Sequence, residues 1–109
     1  MPYDKGLAER MEGLIDPRQG LVHKKMFGGI GYMLNGNMTF GIWKDFLILR
    51  LGLEGADEVL KDDYTKPMDL TGKVMKGWVM VAPEAIAEED QLQDYMEQAI
   101  QFVSTLPAK

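Results

Sequence analysis

Few residues in this chain could carry covalent chemistry. It has one histidine, His23, one serine, Ser104, and no cysteine. A nucleophile–base pair needs its two members side by side in space. Ser104 falls instead on an amphipathic helix near the C-terminus. Without cysteine there is no disulfide, no thiolate metal site and no thiol nucleophile. The expectation is therefore that His23 is an ordinary strand residue. No catalytic residue, metal ligand or cofactor is assigned.

Three other clusters resemble sites. The run GGIGYMLNG has the glycine content of a phosphate loop, but Leu34 stands where a dinucleotide fingerprint needs its third glycine. It also lacks the Gly-Lys-Ser/Thr end of a P-loop. Acidic residues gather as Asp57, Glu58, Asp62 and Asp63, and as Glu84, Glu88, Glu89, Asp90, Asp94 and Glu97, without calcium-loop spacing. They read as solvated faces, and those at 88–90 suit the start of a helix. Arg18, His23, Lys24 and Lys25 form the local basic concentration and the candidate anion or nucleic-acid contact. Strand alternation sends Lys24 and Lys25 to opposite faces, so they also read as a charged strand that discourages edge pairing.

Regular elements must position these residues. Leu7, Met11, Leu14 and Ile15 make one helical stripe, ended by Asp16-Pro17. Asn35-Gly36 is a strong two-residue hairpin signal and Lys44-Asp45 a second tight turn. Together they give a three-stranded antiparallel meander, with Gly28-Gly29 as a bulge or bend in its first strand. Ala56, Val59, Leu60 and Tyr64 suit a short second helix. TKPMDL is a short strand that Pro67 confines to an edge. GWVMVAP is a last strand buried on both sides. Asp90, with Gln93 three residues on, opens a helix whose stripe is Leu92, Met96, Ala99, Val103 and Leu106.

The turns fix the pairing. Trp43 faces Phe46 and Ile42 faces Leu47. One face of the meander then carries Met38, Phe40, Ile42, Leu47, Leu49 and Leu51, joined by Met33, and the helices must cover it. The other carries Thr39, Gly41, Trp43, Phe46, Ile48 and Arg50, with Ile30, Tyr32 and Leu34 from the first strand. Three aromatic rings at ~150–250 Å² each match or exceed the largest apolar patch of a typical monomer, about 300–600 Å². This second face is therefore expected to be covered. Ile30, Tyr32, Trp43, Phe46, Ile48 and Arg50 are the candidate partner-binding residues.

Met26-Phe27-Gly28-Gly29, the hairpin glycine Gly36, the apolar strand ending at Leu51 and the short strand running into Pro83 resemble the N-terminal domain of the TfoX/Sxy family, named for regulators of bacterial natural competence. The resemblance implies one domain over 1–109 and an α+β two-layer sandwich in α-β3-α-β2-α order, like secretion chaperones. It also implies a non-enzymatic regulatory role. Trp78, Val79 and Met80 stand where the family often has tyrosines, and the expectation is a stand-alone N-terminal domain without the C-terminal domain of longer members.

Composition bounds the rest. The chain has 109 residues, 46% hydrophobic and 27% charged, with a net charge of −5. That suits one globular domain. No run is long and apolar enough for a secretory signal or a membrane span, so a cytoplasmic protein is expected. The function expected is a regulatory interaction domain, homodimeric through the apolar sheet face. Nucleic-acid binding through Tyr32, Trp43, Phe46 and Arg50 is the alternative, and the net charge opposes it. A small-molecule binder or an enzyme around His23 comes last.

Overall fold

The computed structural model describes residues 4–16, 18, 20–26, 28–69, 72 and 74–108. Three helices and six strands follow in the order α1 (Lys5–Leu14), β1 (Val22–Met26), β2 (Gly29–Leu34), β3 (Asn37–Trp43), β4 (Phe46–Arg50), α2 (Gly52–Val59), β5 (Thr65–Met68), β6 (Met75–Val81) and α3 (Glu89–Val103). The class is α+β. All strand pairs are antiparallel, in the spatial order β1-β2-β3-β4-β6-β5. No helix among the described residues is long and apolar enough to cross a membrane.

Local chemistry explains most boundaries. The Asp4 carboxylate accepts from the Leu7 N–H at 3.2 Å and caps α1. Asn35 and Gly36 both take positive φ, as a type I′ hairpin requires. Lys44 turns the next hairpin at φ 56°. Pro67 lies in β5 at the sheet edge, the position to which its missing N–H confines it.

Four expectations need correction. Gly28-Gly29 is a chain reversal, not a bulge: Gly28 has φ +75° and Met26 pairs with Gly29, so the expected first strand is two, β1 and β2. Gly29 is required beside it for a different reason, because a Cβ at that position would run into the Ile42 carbonyl oxygen of β3. The capping box of α3 is Glu88 with Gln91, two residues before the expected pair, and the Gln91 side chain accepts from the Glu88 N–H at 3.2 Å. Tyr64 lies past the end of α2, exposed and at φ 65°. The Thr65 hydroxyl, which donates toward the Val59 and Asp62 carbonyls at 2.9 and 2.8 Å, ties off that end instead.

The fourth concerns the faces. Between β2 and β3 the register slips: Met33 pairs with Met38, but Tyr32 pairs with Phe40, which leaves Thr39 as an extra residue. A bulge of this kind reverses the parity of everything beyond it. Ile30 and Tyr32 therefore share the face of Phe40 and Ile42, and Met38 goes to the other, where its methyl lies 3.0 Å from the place a Gly41 Cβ would occupy.

The buried residues form two clusters. The larger takes Leu7 and Met11 from α1, Ala56 and Val59 from α2, and Leu92, Tyr95, Met96 and Ala99 from α3. These pack on Ile30, Tyr32, Phe40, Ile42, Leu47, Leu49, Val79 and Val81 of the sheet. The smaller contains strand residues alone: Ile48, Met68 and Met80, with Trp43, Phe46 and Trp78 packed over them. All three helices thus bury their stripes on one side of the sheet, and the far face is built from strands only. Arg10 fastens α1 to the start of α3, pairing with Glu89 and donating to the Ile86 carbonyl at 2.6 Å.

Candidate functional site

The far face is a grid set by the register. One row crosses the whole sheet as Lys24, Gly31, Gly41, Ile48, Met80 and Lys66, each residue paired with the next. Beside it, Trp43 pairs with Phe46 in one direction and Arg50 with Trp78 in the other. Ile48 and Met80 are each only 2% exposed, although their cluster contains no helix residue. The half-buried rings of Trp43, Phe46 and Trp78 lie across them and keep water off.

Each ring in turn carries a cation. The Lys44 ammonium stands 4.5 Å from the Trp43 ring centre, the Lys66 ammonium 4.6 Å from that of Phe46, and the Arg50 guanidinium 5.5 Å from that of Trp78. These are cation–π distances. The long apolar stems of lysine and arginine also shield ring surface while the charge stays in water. The face that composition made so apolar is therefore partly roofed by its own side chains. A groove of about 650 Å³ continues from it past Arg50, Lys76 and Trp78 to Phe102, walled on one side by the start of α2 with Glu54.

Charge is sharply segregated. None of the six strands contains Asp or Glu, and together they hold five Lys or Arg: Lys24, Lys25, Arg50, Lys66 and Lys76. The remaining seven basic and all seventeen acidic residues lie outside them. The net −5 is thus +5 on the strands and −10 on the rest of the chain.

Of the residues expected on a partner-binding face, Trp43, Phe46, Ile48 and Arg50 come together there. Ile30 and Tyr32 do not: the Thr39 bulge turns them into the helix-packed core, where Tyr32 is 2% exposed and its ring centre lies 5.3 Å from that of Phe40. Trp78, Lys44 and Lys66 belong to the face and were missed. The readable signal was the absence of acidic residues from every strand segment.

The basic group does not act as one patch. Arg18 is held by Asp16 at 2.9 Å, and its guanidinium keeps the Asp16 carboxyl below the usual carboxylate range. The His23 ring nitrogen Nδ1 lies 3.4 Å from Glu12 Oε1, and the Tyr32 hydroxyl donates to the same oxygen at 3.4 Å. Lys24 and Lys25 do diverge, with Lys24 opposite Gly31 on the far face and Lys25 opposite the core residue Ile30. Ser104 donates to the Ile100 carbonyl at 2.6 Å, a bond internal to its own helix end. Among the described residues no three His, Asp or Glu side chains are grouped to hold a metal ion.

Comparison with known proteins adds the lineage. None of the curated proteins and none of the solved structures compared with the chain matches it. The family model of the TfoX N-terminal domain matches residues 14–103, from the end of α1 to the last residue of α3. That span takes in the whole sheet and its far face, and the chain belongs to the TfoX N-terminal domain family.

Proposed function

We propose that this chain is a non-enzymatic regulatory domain that works by docking an anionic partner on the far face of its sheet. Family membership supports a competence-regulator-like domain. A role in transcription, and with it a cytoplasmic setting, rests on the family alone. The docking mode rests on one observation: the face carries three aromatic rings under three cations, Arg50 and Lys66 on strands that have no carboxylate and Lys44 in the turn between β3 and β4. Its layers then divide the work. The helix side supplies stability, and the far side presents charge and rings to a partner.

Self-association through this face was the expectation from composition, and the charges make it the weaker reading. Two copies stacked face to face with aligned strands bring Lys24 of one against Lys24 or Lys66 of the other. No strand carboxylate is present to separate them. Like charges facing each other across an interface disfavour it, and an anionic surface removes the problem.

Chromatography on immobilised heparin tests the reading. The protein is retained at low salt despite its overall −5 and elutes as salt rises, because salt screens contacts of this kind. The double substitution Lys24→Glu and Lys66→Glu, at two exposed positions, abolishes retention. Flow-through of the unsubstituted protein overturns the proposal. So does a dimer in light scattering that Trp43→Glu dissolves, which would assign the face to a second copy.

A further inference from the structure

We infer that the anionic partner is a single-stranded nucleic acid, whose bases stack on Trp43, Phe46 and Trp78 while its phosphates take Lys24, Lys44, Arg50 and Lys66. This rests on the docking reading above and names the partner's chemistry.

The face offers two kinds of contact together. An acidic peptide would use the cations and leave the rings idle. A nucleic acid strand brings both a charged backbone and planar bases, and aromatic side chains on an open antiparallel sheet are a platform on which unpaired bases stack. The cations sit 4.5 to 5.5 Å from the ring centres. A base arriving over a ring displaces its cation sideways, toward the phosphate that the base brings with it. Because Lys44 and Lys66 are exposed at the ends of flexible stems, that exchange requires no backbone movement.

Single strands fit better than a duplex. A paired helix hides the faces of its bases, and reading it needs an element that enters a groove. The cluster of the far face is made of strand residues only. The overall charge does not decide the contact, because Lys24, Lys44, Arg50 and Lys66 gather on this face while the strands themselves hold no carboxylate, the nearest in the chain being Asp45 in the turn after Lys44 and Glu54 in the adjoining groove. Local field, not net charge, governs approach to a surface within about 10 Å.

Both tryptophans of the chain, Trp43 and Trp78, lie on this face, so intrinsic fluorescence reports its occupancy. The experiment titrates the protein with unstructured oligothymidylate and oligouridylate of about a dozen nucleotides, with a duplex of matched length and with poly-L-glutamate. The single strands are expected to quench the fluorescence. Raising salt from about 50 to 200 mM weakens this binding about 50-fold, the slope for roughly four phosphate contacts. Phe46→Leu weakens it about tenfold, the scale of one lost base stack. Lys66→Gln weakens it and lowers the salt slope, with circular dichroism confirming that both variants stay folded.

Binding that Phe46→Leu leaves unchanged, or a duplex that binds as well as the single strand, overturns the inference. Stronger binding of poly-L-glutamate than of either oligonucleotide also overturns it while leaving the anionic docking face intact. Retention on heparin with no response to any single strand has the same meaning. Failure on heparin and with every polyanion removes the docking reading as well.

Discussion

Two neighbouring rows of the same sheet obey different rules. His23, Tyr32, Phe40, Leu49, Val79 and Pro67 pair across it on the helix side. Lys24, Gly31, Gly41, Ile48, Met80 and Lys66 do so on the far side. The first row is large and apolar through its middle, and it meets three helices. The second has bare glycine and small aliphatic floor in its middle and a lysine at each end. Every strand contributes to both rows, so the difference does not come from segment hydrophobicity. It comes from alternation, which lets one strand stabilise on one side and present a surface on the other.

Substitutions at adjacent positions separate the two roles. The largest effect belongs to Leu49, 0% exposed against the helices. Leu49→Ala is expected to cost about 3–5 kcal/mol in denaturant unfolding, because a cavity there is closed on all sides. Its neighbour Ile48 faces the other way, and Ile48→Ala is expected to cost about 1–3 kcal/mol, since the rings above it settle into the gap. Equal costs at 48 and 49 would erase the distinction between the faces.

Gly41→Ala comes next, at about 1–3 kcal/mol. A Cβ there lies 2.5 Å from the Ile30 carbonyl oxygen, and backbone cannot yield as a side chain does. A thermal melt unaffected by this change would mean that the glycine row is spacing alone.

Tyr95→Phe tests the helix side more finely. The Tyr95 hydroxyl donates to Asp62 Oδ2 at 2.8 Å and ties α3 to the turn after α2. The expected loss is about 1 kcal/mol. Burial first, and then the bond to Asp62, push the tyrosine pKa above its ordinary 10.0. A raised pKa means that the folded state holds the proton more tightly. This contribution is therefore complete below pH 10 and is lost as pH climbs beyond it. Unfolding free energy should fall less steeply above pH 10 in Tyr95→Phe than in the parent, and parallel pH profiles would contradict the assignment.

Lys66→Gln closes the series. It removes an exposed cation from the Phe46 ring and should leave stability within about 0.5 kcal/mol. Its consequence is expected in partner binding, and a large change in stability would move Lys66 from surface to scaffold.

Much of this was legible in the sequence, and the missing part has one physical origin. Asn35-Gly36 and Lys44-Asp45 state their turns locally, and the pairs Ile42–Leu47 and Trp43–Phe46 follow from the second. Pro67 marks an edge because of its own chemistry. The stripes of α1 and α3 repeat at helical spacing. These are properties of short segments. The placement of Ile30 and Tyr32 depends on how β2 meets β3 at Met33–Met38, which is a property of a pair. Thr39 carries no local mark of a bulge: threonine is an ordinary strand residue, and here it is fully buried with its hydroxyl donating to the Asn37 carbonyl at 3.3 Å. The reversal at Gly28 was hidden in the same way, since two consecutive glycines fit a bend as well as a turn. Trp78 and Lys66 reach the candidate face only through pairing of β6 with β4 and of β5 with β6. The segregation of charge was visible throughout, and it needed only to be counted strand by strand.

Thr39 acts as a phase shift in the sheet. Every residue can be exchanged for another of similar character without disturbing the alternation, whereas loss of this single position would put the two halves of the hairpin out of step. Phe40 and Ile42 could then keep their places against the helices only by sending Tyr32 and Ile30 outward. In this domain a one-residue deletion in β3 should be far harder to tolerate than most replacements in the same strand.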